Sequence, residues 1–184
     1  IVNAEILGYR RAKGKYLMFV DHDEVLVNNK SIQDRVEMFK KNPEVKAATG
    51  NGYYNPKGYH FINRYVNEFG DPFSFFMYHL SKHADFFLPA MRQRYLIHAE
   101  SESYAIFDLK AQFEVPLIEL VAGGGMIDAV WVKKHIFEIA KKYYLLPHVL
   151  HIIRKTNPHV AIMKSDPIMH YSGDSLSVYI NKLA

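Results

Sequence analysis

Residues 16–23 read Tyr-Leu-Met-Phe-Val-Asp-His-Asp, a short continuous apolar run followed at once by two carboxylates. The run is rich in residues that favour strands and is too short for a typical helix. It therefore predicts a strand buried on both faces, as in parallel sheets. We take residues 16–20 as this strand and expect Asp21 and Asp23 to lie at its carboxyl end.

Helical and strand patterns alternate on either side of this strand. Residues 5–12 read as the end of a helix. Ser31, with Asp34 three residues later, is typical of a capping box, and the helix that it starts should end at Asn42-Pro43. Residues 45–49 read as the next strand. This order predicts an α/β fold, with a mostly parallel sheet flanked by helices.

The middle of the chain is unusually aromatic, since residues 53–95 contain half of all the Phe, Tyr and Trp side chains. We predict a helical and loop insertion over residues 53–100, within a single domain that spans residues 1–184. Core packing accounts for many aromatic residues, but Tyr and Phe beside cations also suit a membrane surface, so peripheral membrane contact is expected here. Further strands are predicted at residues 104–107, 117–121 and 161–163, and helices at residues 59–69, 73–83, 130–142 and 175–183.

The composition excludes several classes of protein. The 184 residues include no Cys, which excludes a disulfide scaffold, a thiolate metal site and a Cys nucleophile, and which fits a reducing compartment. No apolar stretch is long enough for an ordinary transmembrane helix. The net charge of +4 is spread along the chain, so we expect no nucleic-acid partner. The expected location is cytoplasmic, on the inner face of a membrane.

The two carboxylates after the first strand predict a cation site. Side chains at i and i+2 of an extended chain point the same way, so Asp21 and Asp23 should converge at the carboxyl edge of the sheet, where α/β folds bind ligands. Two close carboxylates repel each other unless a cation lies between them. Mg²⁺ or Mn²⁺, with open positions for phosphate oxygens, suits these ligands. The alternative is that each Asp is an ordinary loop or cap residue.

The segment of residues 8–23 resembles the family 2 glycosyltransferases of GT-A fold. Their pattern is a helix ending in Gly-x-x-x-Ala-x-Gly, then an apolar strand, then Asp-x-Asp, and it is matched here by Gly8, Ala12, Gly14, Asp21 and Asp23. Gly123-Gly124-Gly125-Met126 looks like the Gly-Gly-Asn-Met stretch of the family. Met169-His170-Tyr171 lies where the family often has a His close to the metal.

The resemblance implies transfer of a sugar from a nucleotide-diphosphate donor to a glycan or lipid-linked acceptor. Asp21 would contact the ribose or sugar of the donor, and Asp23 would bind the Mn²⁺ or Mg²⁺ that holds the diphosphate, with Asp21 beside it and His170 as a further ligand. Gly124 and Gly125 would line the site. The alternative is a catalytically inactive GT-A-like domain that serves in binding or assembly.

Two departures from the family pattern alter these expectations. The chain starts at Ile1, inside the helix that precedes the first strand. We therefore expect a sheet without its first strands, completed by further chain or by a partner such as a second copy, and weak nucleotide binding by this segment alone. Where inverting members carry a Glu-Asp pair, this chain has Pro147-His148. The candidate general bases are His148, whose imidazole can accept a proton near neutral pH, and Asp128.

Overall fold

A computed structural model of the chain describes residues 2–69, 81–110, 124–135, 153, 155–157, 159–173 and 175–183. The strands are β1 (Tyr16–Phe19), β2 (Glu24–Leu26), β3 (Ala47–Thr49), β4 (Tyr53–Tyr54), β5 (Leu96–Glu100), β6 (Tyr104–Asp108), β7 (Gly125–Asp128), β8 (His159–Met163) and β9 (Ile168–His170). The helices are α1 (Val2–Arg11), α2 (Ser31–Lys41), α3 (Phe61–Phe69), α4 (Ala84–Arg94), α5 (Ala129–His135) and α6 (Leu176–Leu183).

Six of the strands form one mixed sheet in the order β1-β7-β3-β8-β6-β5. The α/β prediction is confirmed, but the prediction of a mostly parallel sheet is wrong. Only β3 and β8 pair in parallel, and the other neighbouring strands are antiparallel. The reason is the position of β7, which lies between β1 and β3 and runs against both of them. The glycine-rich start of β7 gave no strand pattern in the sequence.

Consecutive residues of the central strands face opposite sides of this sheet, as the two-residue period of a strand requires. One face carries Ala47, Phe107, Ile127 and Ile162, and α1, α4 and α5 cover it through Tyr9, Phe87, Met91 and Val132. The other face carries Ala48, Ile106, Met126 and Ala161, and α2 covers it through Met38 and Phe39. The aromatic block is thus partly core, because Phe87 is fully buried while Phe61 and Phe86 are exposed.

A second, three-stranded sheet places β9 between β2 and β4. Strands β2 and β9 are antiparallel with Glu24 opposite His170, and β4 runs parallel to β9. None of these three short strands was predicted from the sequence. β2 begins directly after the acidic pair, and β9 ends at His170.

The predicted helix over residues 31–42 is confirmed, but its predicted cap is wrong. The N-cap residue is Lys30, which makes no side-chain capping hydrogen bond. The hydroxyl of Ser31 donates instead to Asp166, 2.8 Å away. The predictions at residues 73–80, 117–121 and 136–142 lie outside the described residues. Among the described residues, no helix combines the length and the apolar character that crossing a membrane requires.

A buried ion pair joins α2 to the turn before β9. Arg35 is fully buried and Asp166 nearly so, and their side chains are in direct contact. The guanidinium lies against two glycines, because a Cβ built on Gly50 or Gly124 would lie 3.4 or 3.2 Å from its Nη2 atom. Any larger residue at Gly124 would therefore meet the buried cation.

Candidate functional site

The acidic pair lies in a tight turn between β1 and β2. The backbone N–H of Glu24 donates to the carbonyl of Asp21 at 3.1 Å, and the N–H of Asp21 donates to Glu24 Oε2 at 3.0 Å. The chain therefore turns here, and the prediction of an extended segment over Asp21 and Asp23 is wrong. The turn directs the Asp23 side chain toward β9 instead.

Asp23 and His170 meet across the β2–β9 pairing. The N–H of Tyr171 donates to the Asp23 carbonyl at 2.8 Å, which extends the strand pairing to this point. Asp23 Oδ2 then lies 3.6 Å from Nε2 of His170, and both side chains are about one-fifth exposed (23% and 17%). The two residues predicted to share a metal are thus neighbours, just beyond the carboxyl end of β1.

The imidazole of His170 is held on two sides. The ring of Tyr53 stacks on it with the ring centroids 4.9 Å apart and the planes inclined by 22°. Nδ1 lies 2.9 Å from Oδ1 of Asn67, and Ser172 Oγ lies 3.3 Å from the same nitrogen. Because these contacts occupy the face and the Nδ1 edge of the ring, they direct the Nε2 edge toward Asp23.

Glu24 adds a third carboxyl group beneath the turn. The hydroxyl of Tyr53 donates to Glu24 Oε1 at 3.2 Å. Burial raises the pKa of Glu24, and the charges of Asp21 and Asp23 raise it further, although the hydrogen bonds from Asp21 and Tyr53 act in the opposite direction. The pKa of Tyr53 is also raised, by burial and then by Glu24. The cluster therefore disfavours further negative charge and favours a cation.

Gly124 and Gly125 lie at the same end of β1 as the acidic turn. Gly125 pairs with Phe19, and the N–H of Gly124 donates to the Phe19 carbonyl at 2.9 Å. Gly124 has φ +74°, which favours glycine, and a Cβ there would lie 2.9 Å from the end of Met18. The two glycines thus place buried backbone beside the end of β1 that leads to Asp21. Gly123 lies outside the described residues.

Asp128 does not join this site. It pairs with Tyr16, at the opposite end of β1 from the acidic turn. Its Oδ1 accepts the backbone N–H of Trp131 at 3.0 Å at the start of α5, and its Oδ2 lies 3.4 Å from Nζ of Lys46. This carboxylate caps α5 at the opposite end of the strand, so the structure does not bring Asp128 together with Asp23 and His170. His148, the other candidate base, lies outside the described residues.

The donor atoms of Asp23 and His170 fit a shared divalent cation. Two ligands bound at about 2.1 Å lie roughly 3.0–3.4 Å apart when they subtend an angle of roughly 90–110° at the metal. The observed 3.6 Å is close to that range. Within the part of the chain that the structure describes, no group of three or more His, Asp or Glu side chains is arranged to hold a metal. A cation held by these two side chains would take its remaining ligands from water or from a bound molecule.

Asp21, Asp23 and His170 were predicted for this site from the sequence, His170 through the family resemblance alone. Glu24, Tyr53 and Asn67 were missed. The only local signal was the position of Asn67 on the same helical face as buried Val66, where a polar side chain needs a partner. Comparison of the chain with protein-family models, curated proteins and solved structures finds no significant match. Its function is therefore inferred from the geometry of these side chains.

Proposed function

We propose that the chain is the catalytic domain of a metal-dependent glycosyltransferase of the family 2, GT-A type. The observation that carries the proposal is the 3.6 Å approach of Asp23 Oδ2 to His170 Nε2 beyond the carboxyl end of β1. A nucleotide-diphosphate sugar is the donor, and a glycan or lipid-linked molecule is the acceptor. A carboxylate and an imidazole at this edge suit Mn²⁺ or Mg²⁺ with phosphate oxygens completing the coordination.

Each residue of the site has a role in this proposal. Asp23 and His170 hold the cation, which when bound neutralises the negative charge that develops on the departing diphosphate. Asp21 projects from the same turn and contacts the ribose or the sugar of the donor. Gly124 and Gly125 border the site, because their backbone passes beside the end of β1 that leads into the turn.

The acceptor belongs to the same proposal. Phe61 and Phe86 are more than half exposed, at 65% and 53%. Exposed aromatic rings suit a lipid surface, where they insert between headgroups and acyl chains. A lipid-linked acceptor at the inner face of a membrane would approach from such a surface, and His148 is the candidate base for its hydroxyl.

One observation favours a second candidate function. Asp128 caps α5 at the far end of β1, so this candidate base does not lie beside Asp23. A domain that binds a nucleotide diphosphate through its cation without turning it over, and that serves in assembly, has the same Asp23–His170 pair. Binding is then expected without release of product.

The test uses the full-length protein with a panel of nucleotide sugars and Mn²⁺, and measures release of the nucleoside diphosphate. Asp23→Asn removes the charge that holds the cation while keeping the shape of the side chain. Because electrostatic stabilisation by a metal is worth several kcal/mol, we expect turnover to fall by about 100-fold or more. His22→Ala is the matched control, since His22 is an exposed residue of the same turn, and it should keep its turnover.

The outcomes separate the two candidates. Turnover that needs Mn²⁺ and Asp23 supports the transferase. Mn²⁺-dependent binding of a nucleotide sugar, lost in Asp23→Asn but never followed by turnover, supports the binding domain. Turnover that persists in Asp23→Asn, or in the presence of a metal chelator, rules out the cation site on which both depend.

A further inference from the structure

Asn67 is a polar residue on the buried face of α3, and its side chain is turned toward the end of β9. It is fully buried, as is Asn63 one helical turn before it. A buried amide needs partners for its two N–H groups and its oxygen. The hydrogen bonds of Asn67 bear on which ring nitrogen of His170 carries the proton.

The hydrogen bonds of Asn67 define which way its amide points. Nδ2 lies 3.2 Å from the backbone carbonyl oxygen of His170 and 2.9 Å from Oδ1 of Asn55. A carbonyl oxygen can only accept, so the amide nitrogen must lie on that side. Oδ1 is then the atom that lies 2.9 Å from Nδ1 of His170. Because Oδ1 can only accept, Nδ1 carries the proton.

This tautomer decides what the other ring nitrogen can do. A neutral imidazole has one N–H and one lone pair, so a proton on Nδ1 leaves the lone pair on Nε2. Nε2 is the atom that lies 3.6 Å from Asp23 Oδ2. The opposite tautomer would present an N–H at this position, and an N–H cannot bind a cation. Stacking by Tyr53 keeps the ring in the plane that this geometry needs.

We propose that Asn67 is a positioning residue that holds His170 in the Nδ1–H tautomer and thereby makes Nε2 a ligand for the divalent cation. The cation itself rests on the function proposed above, whereas the tautomer does not depend on it. A metal-binding His commonly donates its second N–H to an oxygen of the protein, and loss of that oxygen typically weakens metal binding by about 10–100-fold.

The test compares the full-length protein with three variants, Asn67→Leu, Asn67→Asp and Val66→Ala. Nitrogen-15 NMR of the metal-free protein, at a pH about two units above the ordinary histidine pKa, reports the tautomer, with the His170 signals assigned by their loss in His170→Gln. Calorimetric titration with Mn²⁺ reports the affinity for the cation. Val66→Ala is the control for lost packing, since Val66 is buried on the same helix in a cluster with Ile62 and Tyr179.

The expected result is an Nδ1–H tautomer in the wild type and in Asn67→Asp, which keeps an acceptor oxygen. Asn67→Leu should shift His170 toward the Nε2–H tautomer and weaken Mn²⁺ binding by about 10–100-fold. Val66→Ala should change neither measurement. If Asn67→Leu does not fold, Asn67→Asp decides, because retention of the Nδ1–H tautomer supports the proposal and its loss overturns it.

Two other outcomes overturn the proposal in different ways. An Nε2–H tautomer in the wild type, or an unchanged tautomer and Mn²⁺ affinity in Asn67→Leu, means that Asn67 does not position the ring. An Nδ1–H tautomer in a wild-type protein that binds no Mn²⁺ means that His170 is not a ligand, and this outcome removes the proposed function as well.

Discussion

Replacing Arg35 with Met tests the buried ion pair that holds α2 against the turn before β9. Met has a similar length and no charge, so the substitution removes the cation while filling much of its space. The carboxylate of Asp166 is then left with the Ser31 hydroxyl as its remaining hydrogen-bond donor among the described side chains. Its side chain is only 3% exposed, so water cannot take the place of the guanidinium.

The size of the effect follows from the burial of the pair. Burial lowers the pKa of Arg35 from 12.5 to about 10, although Asp34 acts to raise it. A difference of this size corresponds to about 3 kcal/mol against the charged form, at 1.36 kcal/mol for each pKa unit. Asp166 is also nearly fully buried, so its carboxylate is left desolvated without its partner once Arg35 is replaced. We therefore expect Arg35→Met to lower the free energy of unfolding by about 3–5 kcal/mol.

Urea unfolding measures this change, with the fluorescence of Trp131, the single tryptophan, as the probe. The double variant Arg35→Met with Asp166→Leu removes both charges and should recover about 2 kcal/mol or more of the loss, because an apolar pair can replace a buried ion pair. Stability of Arg35→Met within about 1 kcal/mol of the wild type, or additive losses in the double variant, would show that the two charges do not interact in solution.

The remaining predictions concern a histidine pair and a glycine. Burial and the adjacent ring of His98, stacked at 3.8 Å between centroids, lower the pKa of His159, whereas Asp108 and Glu44 act in the opposite direction. The unfolded chain then binds more protons, so urea midpoints should fall as the pH drops below about 6.5, and His98→Gln should reduce this slope. Gly124→Ala should lower the free energy of unfolding, measured by thermal unfolding, by about 1–3 kcal/mol. The reason is that Gly124 has a φ of +74° and that Met18 and Arg35 occupy the space that a Cβ would need.

Each of these predictions has a result that contradicts it. Urea midpoints with the same slope against pH in His98→Gln and in the wild type would mean that the stacked rings do not influence each other's charge. Gly58→Ala is the control for Gly124→Ala, since Gly58 also has a positive φ but has open space around it. Equal losses at the two positions would mean that strain, and not contact with Met18 and Arg35, explains the effect.

The elements that could be predicted are those whose pattern is complete within a few residues. β1 is an uninterrupted apolar run, and α2 lies between Ser31 and the stop at Asn42-Pro43, so both were found to within a residue or two. β7 was missed because Gly125 gives no strand signal, and its pairing depends on β1 and β3, which are distant in the sequence. The antiparallel pairing of most neighbouring strands was therefore also missed.

The site shows the same division between local and distant information. The Asp21–Asp23 pattern is local, and it drew attention to the turn that lies beside His170, although this turn is not extended as predicted. The partner of Asp23 was predicted only through a family resemblance at His170. Asn67 is 103 residues from His170 in the chain, and nothing in its neighbours distinguishes it from a surface asparagine except the apolar face on which it lies.

The distance between Asp23 and His170 depends on polar contacts more than on apolar burial. The strands that bring them together are only two or three residues long, and the apolar cluster of this sheet consists of Tyr53 and Ile168 with Leu26 packed against them. So short a sheet is weakly stabilised by itself.

A slip of β9 by one residue would turn His170 to the opposite face and remove it from Asp23. The hydrogen bonds that Asn63 accepts from Ser172 and Gly173, at 2.8 and 3.1 Å, and those of Asn67 to His170 oppose that slip. The two buried asparagines of α3 therefore maintain the register on which the candidate cation site depends.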